Sequence, residues 1–196
     1  MFTGLVQGAA EVVGLTSRAR DGARLTLKHP LLAVAKPGDS IAINGCCLTV
    51  VDPAAAEASF DLLAETLRLT NLGGLRPGMK VNIEPSLLPT DRMGGHFVTG
   101  HVDCMGEVAF FGQDGADWRL DVRATPEFLR HVVRKGCVAV DGMSLTVADL
   151  LPEGFRIWVI PHTLEVTNLA GRKTGDRVNL ESDLLAKYAE KLLRRD

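Results

Sequence analysis

The sequence predicts an all-β chain of two tandem domains, of sandwich or barrel type, closed by a terminal helix, and three observations predict it. The segment Ile43-Asn44-Gly45-Cys46-Cys47-Leu48-Thr49-Val50 recurs 97 residues on as Val140-Asp141-Gly142-Met143-Ser144-Leu145-Thr146-Val147. Short β-forming runs follow one another at spacings of about ten residues, with Gly and Pro turns between them. Beyond residue 182 the apolar residues fall into a helical period instead.

The repeat continues on either side of that segment. Thr3-Gly4 answers Thr99-Gly100, and Glu11-Val12 answers Glu107-Val108. Thr66-Leu67 and Thr70-Asn71-Leu72 answer Thr163-Leu164 and Thr167-Asn168-Leu169, while Gly78, Val81, Asn82 and Glu84 answer Gly175, Val178, Asn179 and Glu181. A period this long is a domain rather than a solenoid unit, and each half of the 196 residues is large enough to bury a core. The expected division is 1–96, with a linker over 85–96, then 97–182, then a terminal segment 183–196.

In chain order the expected strands of the first half are Thr3–Gln7, Glu11–Leu15, Arg24–Lys28, Ser40–Ile43, Leu48–Asp52, Ser59–Leu63 and Lys80–Glu84. Turns are expected at Asp21-Gly22, Lys36-Pro37-Gly38 and Arg76-Pro77-Gly78. Helical turns are expected over Pro30–Ala35, with Pro at its first position, and over Thr66–Leu72. The second half replays this order from about Thr99, which puts His101 in its opening strand, and Pro126 echoes Pro30. Ser182 or Asp183 caps a final helix running to about Arg194. Its face of Leu184, Leu185, Tyr188, Ala189, Leu192 and Leu193 has nothing after it to cover it, which points to an oligomer contact.

Composition narrows the function classes. With 22 Lys+Arg against 24 Asp+Glu there is no basic field for nucleic acid, and 5% aromatic residues leave few stacking platforms. No apolar run approaches a membrane span and the start has no leader pattern, so a soluble cytoplasmic protein with reduced thiols is expected. Neighbouring strand residues point to opposite faces, so Cys46 and Cys47 do not readily share a metal or a disulfide. His101-x-x-Cys104 offers only two zinc ligands, so no metal is expected. Gly-x-Gly-x-x-Gly, the phosphate-binding P-loop and Gly-x-Ser-x-Gly are all absent, so neither a nucleotide cofactor nor a serine-hydrolase elbow is signalled.

Where the halves agree, the residues serve the fold or a common ligand: Gly45 and Gly142 as turn formers, Leu48 and Leu145 as core, and the hydroxyls of Thr49, Thr146, Thr66 and Thr163. Matched hydroxyls in both halves suit two molecules of one polar, planar ligand. Where the halves differ, the candidates for chemistry are Cys47 against Ser144, Asn44 against Asp141, Glu65 against His162 and Leu5 against His101, together with Lys135.

Phe2-Thr3-Gly4-Leu5-Val6, the Asn44 to Val50 segment, Glu65-Thr66-Leu67 with Thr70-Asn71-Leu72, Gly94-Gly95-His96-x-x-x-Gly100-His101 and the Asp141 to Val147 segment together resemble the riboflavin synthase family, the alpha-chain type with two lumazine-binding repeats. The resemblance spans essentially the whole chain, in order and spacing. It implies two tandem six-stranded Greek-key β-barrels, a C-terminal helix holding a homotrimer, and active sites between the N-terminal barrel of one subunit and the C-terminal barrel of a neighbour. The implied reaction is a dismutation without cofactor or metal. Two 6,7-dimethyl-8-ribityllumazine molecules exchange a four-carbon unit and give riboflavin and 5-amino-6-(ribitylamino)uracil. Association with lumazine synthase is a further implication.

The same resemblance places substrate binding on Gly4, Leu5, Val6, Ser40, Cys47, Leu48, Thr49, Asp61, Leu62, Leu63, Ala64, Glu65 and Thr66 of the first half. In the second half it places binding on Gly100, His101, Val102, Lys135, Asp141, Ser144, Leu145, Thr146, Trp158, Val159, Ile160, Pro161, His162 and Thr163. Turnover falls to Phe2, Cys47, His101 and Ser144, with His101 moving the proton at the donor's acidic 7-methyl group and Cys47 or Ser144 aiding addition at the acceptor. His162 departs from the family pattern, which is acidic there as at Glu65. The rival readings are a non-catalytic lumazine- or flavin-binding protein of the same two-barrel family and a flavin-dependent reductase barrel. The presence of Cys47, His101, Lys135, Ser144 and Thr146 favours the enzyme. The reductase reading lacks its Arg-x-Tyr-Ser/Thr motif, because the only tyrosine is Tyr188 in the terminal helix.

Overall fold

A computed structural model describes residues 1–19 and 21–193, so the expected helix end at Arg194 and the terminal residues 194–196 lie outside the described residues. Six strands form the first ring: β1 (Gly8–Ser17), β2 (Ala23–Lys28), β3 (Ser40–Ile43), β4 (Cys46–Ala54), β5 (Glu57–Leu62) and β6 (Lys80–Pro85). Six more form the second: β7 (Cys104–Asp114), β8 (Asp117–Arg123), β9 (Cys137–Val140), β10 (Met143–Leu151), β11 (Gly154–Val159) and β12 (Arg177–Ser182). Both rings are closed and wholly antiparallel, in the order β1-β2-β5-β4-β3-β6 and, equivalently, β7-β8-β11-β10-β9-β12. The β3-β4-β5 meander returns beside β2 and β6 slots between β3 and β1, which is the Greek-key route expected of the family.

The alternation of the sequence explains why these strands close. In β2, Ala23, Leu25 and Leu27 point inward while Arg24 and Thr26 point out. Bulges interrupt β1 after Val12, β4 after Val50, β7 after Val108 and β10 after Val147, and each bends its strand around the ring. One core gathers on Phe60, Leu25, Leu27 and Ile83, the other on Phe155, Leu120, Ile157 and Leu180.

Two expectations need correction. Residues 3–7 and 99–103 form no ladder strand, so β1 starts at Gly8 and His101 precedes β7 rather than lying in it. The reason is a pair of buried carboxylates. Glu84 accepts from Thr3 N (2.7 Å), Thr3 Oγ1 (2.8 Å) and Gly4 N (3.0 Å), taking the donors that a sheet would need. Glu181 does the same for Thr99 N (2.6 Å), Thr99 Oγ1 (2.6 Å) and Gly100 N (3.0 Å).

The second correction concerns the turn expected over 66–72. It is instead α1 (Ala64–Leu69), broken at Thr70, whose hydroxyl accepts from Leu72 N and starts a separate 3-10 turn over Asn71–Gly74. Pro30–Val34 forms a 3-10 turn as expected. The second half repeats the pattern in α2 (Pro126–Leu129), α3 (Pro161–Val166) and a turn over Asn168–Gly171.

The terminal helix is α4 (Leu184–Leu193), and Asp183 Oδ1 accepts from Leu185 N (3.0 Å). Its polar side rests on the second barrel through Lys187 Nζ to Asp103 (2.6 Å) and His131 Nε2 to Glu190 (2.7 Å). Leu185, Tyr188, Leu192 and Leu193 stay exposed. Among the described residues no helix is long and apolar enough to cross a membrane.

The barrels meet across a pseudo-two-fold axis at Gly45 and Gly142. Both have positive φ (76° and 78°), and a Cβ on either would lie 2.6–2.7 Å from the other's backbone nitrogen, so neither position tolerates a side chain. The hydrogen bonds around them are reciprocal. Asn82 Nδ2 donates to Asp141 O (2.9 Å) and Asn179 Nδ2 to Asn44 O (2.8 Å). Asn71 N donates to Asn179 Oδ1 and Asn168 N to Asn82 Oδ1, both at 2.7 Å. Phe2, Ala42, Val98 and Ala139 pack between the barrels beside Cys47.

Candidate active site

Each barrel's leading segment crosses to the other barrel. Glu84, in the first barrel, holds Thr3-Gly4, and Gly4 O then accepts from Ser144 N (2.8 Å) on β10. Glu181, in the second, holds Thr99-Gly100, and Gly100 O accepts from Cys47 N (2.9 Å) on β4. The candidates therefore sort into two like sites within one chain. Cys47, with Thr49 on its strand, stands at Gly100 and the neighbouring His101 and Val102; Ser144, with Thr146 on its strand, stands at Gly4 and the neighbouring Leu5 and Val6, while Ser40 lines a cavity together with Leu5 and Val6.

Strand register fixes what each site presents. Ser40 pairs with Thr49 and Ala42 with Cys47; on the other barrel Cys137 pairs with Thr146 and Ala139 with Ser144. Cross-strand partners share a face, so these are outward pairs, while Leu48, Leu62 and Val159 sit in the cores. Those three, and Leu145 packed on the second core, turn their side chains away from these outward faces. Thr49 and Thr146 are exposed and Cys47 and Ser144 half-buried.

The helix entrances carry the next candidates. Leu63 (73% exposed) and Ile160 (62%) stand at matched positions before α1 and α3 as apolar platforms. Neither helix has a side-chain N-cap, which leaves amide donors near Ala64, Glu65 and His162 for a ligand or water. Pro161 has no N–H to add, and Thr163 N is bound to Ile160 O (3.1 Å). Thr66 and Thr163 lie half-buried one residue further on, with their carbonyls bound by Thr70 and Thr167. On the flanks Asp61 is held by Arg24 through two bonds (2.7 and 2.9 Å), which keep its carboxyl below the usual range. Its counterpart Trp158 is 43% exposed.

Three candidates lie apart from these faces or carry an unusual backbone. Phe2 is fully buried and touches the site through Gly100, where an added Cβ would meet its ring at 3.0 Å. Asp141 is also fully buried, on the pseudo-dyad, binding Asn71 Nδ2 (2.8 Å), Asn179 N (2.8 Å) and Arg172 Nη2 (2.6 Å). Burial pushes its carboxyl up, against the pull of Arg172. Lys135 holds φ +66° where the first barrel has Gly38, a conformation costing a non-glycine residue about 1–3 kcal/mol and pinned by its N–H to Val147 O (2.8 Å).

The residue missed in the sequence is His96. Its Nδ1 lies 2.7 Å from Ser144 Oγ, and Nε2 has no hydrogen-bond partner among the described residues. Burial lowers its pKa, opposed by Asp183, and so favours the neutral ring; the tautomer decides whether Nδ1 donates to Ser144 Oγ or accepts from it. His96 lies in the linker and has no counterpart in the repeat, so comparison of the halves gave it no weight. Glu84 and Glu181 were visible as repeat matches, but nothing in the spacing showed that they grip the leading segments. Among the described residues no group of three or more His, Cys, Asp or Glu side chains is placed to hold a metal ion, and all four cysteines are free.

The Lumazine binding domain family matches residues 3–86 and 99–183. Riboflavin synthase of Mycobacterium tuberculosis is 45% identical over 200 residues, covering 99% of this chain and 98% of that protein. Riboflavin synthase of Escherichia coli is 39% identical, covering 93% and 87%. The fold matches the crystal structure of LumP complexed with 6,7-dimethyl-8-(1'-D-ribityl) lumazine at TM-score 0.83 and 23% identity, over 93% of this chain and 99% of that one. A family match in two copies that follow the two barrels, with full-length relatives across bacteria, shows that the chain belongs to the riboflavin synthase family.

Proposed function

We propose that the chain converts two 6,7-dimethyl-8-ribityllumazine molecules into riboflavin and 5-amino-6-(ribitylamino)uracil, as a transferase of this family. The observation that carries the reading is the pair of quasi-equivalent sites, Cys47 against Gly100 O and Ser144 against Gly4 O, one for each of two identical substrates. Amides at the helix entrances and outward hydroxyls suit the pyrimidinedione edge and ribityl chain, and Leu63 and Ile160 suit the ring faces.

In this reading the donor loses a proton from its 7-methyl group, and the carbanion attacks the acceptor. His101, exposed beside Gly100, takes that proton. Ser144, relieved of its proton by neutral His96, or Cys47 aids addition at the acceptor. Lys135 and Asp61 flank the two sites, and Phe2 fixes Gly100. Holding two substrates together supplies part of the rate, an effect that reaches about 7–11 kcal/mol in well-oriented systems.

Both sites are open outer faces of their barrels, which fits completion by a neighbouring subunit. The exposed Leu185, Tyr188, Leu192 and Leu193 of α4 supply the contact for a homotrimer. The reading includes a cytoplasmic location and association with lumazine synthase. The test is to incubate the purified chain with the dimethyl-ribityllumazine and follow both products, which appear in equal amounts. Tight binding without riboflavin would overturn the enzyme in favour of a lumazine carrier.

A further inference from the structure

The two site faces carry the same kinds of polar groups at exchanged positions. On the first barrel a hydroxyl, Ser40, stands opposite Thr49 and a thiol, Cys47, stands in the next pair on the same face, two residues along. On the second, the thiol Cys137 stands opposite Thr146 and the hydroxyl Ser144 stands in the next pair on the same face, two residues along. Val138 and Val140 point into the core, so Cys137 points outward, half-buried, on the face that carries Ser144 and Thr146. Asp183 lies close enough to act on the charge of both Cys137 and His96.

A second observation marks this corner as prepared for a ligand. His96 is only 8% exposed, is fixed by its Nδ1 to Ser144 Oγ, and leaves Nε2 without a partner among the described residues. A buried imidazole nitrogen left open is unfavourable unless a ligand or water supplies the missing group. Cys137, Thr146 and Ser144 thus share one outward face of the second barrel, and His96 borders that face at Ser144.

We propose that Cys137 is a substrate-facing residue of the second site, standing where Ser40 stands in the first, and that this exchange makes the two barrels hold identical lumazines with unequal strength. The inference rests on the assignment of the chain as a lumazine-converting enzyme. A thiol is a weak donor and weak acceptor beside a hydroxyl. The second site therefore grips the polar edge of its lumazine less firmly at this point.

The test has two arms on the full chain. In the first, the protein is alkylated with N-ethylmaleimide, with and without saturating 6,7-dimethyl-8-ribityllumazine, and each of the four cysteines is quantified by peptide mass spectrometry. Cys137 and Cys47 are expected to be protected at least about fivefold, while Cys104, packed against the second core at the start of β7, keeps its rate. Protection of Cys47 without Cys137 overturns the proposal and leaves the enzyme reading standing. Protection of neither, with no riboflavin formed, overturns both.

The second arm covers a Cys137 too slow to label. Cys137→Ser is expected to tighten one of the two lumazine equivalents by about threefold to tenfold in a titration and leave the other unchanged, since it adds a stronger hydrogen-bonding group at one site only. Two unchanged equivalents, or equal shifts in both, would refute an exclusive role in the second site.

Discussion

The first barrel closes its inter-barrel corner with neutral groups, and the second closes the same corner with a buried ion pair. At matched positions the first has Asn44 and Leu75, the second Asp141 and Arg172. Asn44 Oδ1 accepts from Asn82 N (2.8 Å) and Asn168 Nδ2 (3.1 Å); Asp141 does the same work for Asn179 N and Asn71 Nδ2 and then requires Arg172. The comparison teaches that a duplicated fold keeps its hydrogen-bond pattern while its charge drifts, provided that each buried charge brings its partner. The site faces show the same logic, with thiol and hydroxyl exchanged and Asp61 standing against Trp158.

The largest effect expected from breaking this comparison is on stability. Arg172→Leu strands a fully buried carboxylate and is expected to cost about 3–5 kcal/mol. The double change Asp141→Asn with Arg172→Leu rebuilds the neutral corner of the first barrel and is expected to recover most of the loss. Denaturant midpoints of the three proteins decide the matter. A double variant no better than the single one would mean that Arg172 acts through packing alone.

The next effect sharpens the difference between the sites. Ser144→Ala leaves His96 without its hydroxyl and is expected to lower kcat about 100-fold, within the usual range for general acid–base groups. Among the described residues Cys47 has no histidine bonded to it as Ser144 has, and Cys47→Ala is expected to act mainly on KM. Equal kcat losses in steady-state assays would remove the asymmetry of roles. Smaller again, Glu181→Gln weakens the grip on Thr99 and Gly100, displaces His101 and is expected to cost about tenfold in kcat/KM. Glu84→Gln should do the same through Gly4 and Ser144. A variant with unchanged turnover but lower stability would make these carboxylates purely structural.

The fold was legible because the repeat doubled every signal: Gly45 and Gly142, the bulged strands and the Asn71 and Asn168 turns each appear twice. Illegible were features that depend on one distant partner. Thr3–Gln7 has the composition of a strand, yet Glu84, some eighty residues on, outcompetes the ladder for its donors. Asp141 was read as a site residue because it differs from Asn44, and only the structure shows Arg172 as its partner inside the barrel contact. His96 had no repeat copy, and Cys137 matched Ser40 by a register that only strand pairing reveals.

The smallest effect concerns pH, and here too the barrels differ. His96, in the linker against the second barrel, and His29 on the first both have pKa values lowered by burial, His29 further by Lys80. Below about pH 6.5 the unfolded chain takes up protons that the folded chain does not yet bind, so stability is full above that pH and falls as pH drops toward the lowered folded values. Glu84 works in the opposite direction and lower, because its carboxyl is pushed up by burial in spite of its three donors. His29 contributes through a turn cap, to Leu31 N (3.2 Å), and His96 through Ser144, so in the proposed mechanism only the second bears on turnover. His96→Gln is therefore expected to flatten the fall in denaturant midpoint between pH 7.5 and 5.5 and, in the same protein, to lower kcat. His29→Gln is expected to flatten the first and spare the second. A His96 variant that flattens the stability profile while keeping full kcat would show that its ring supports the barrel contact and takes no proton from Ser144.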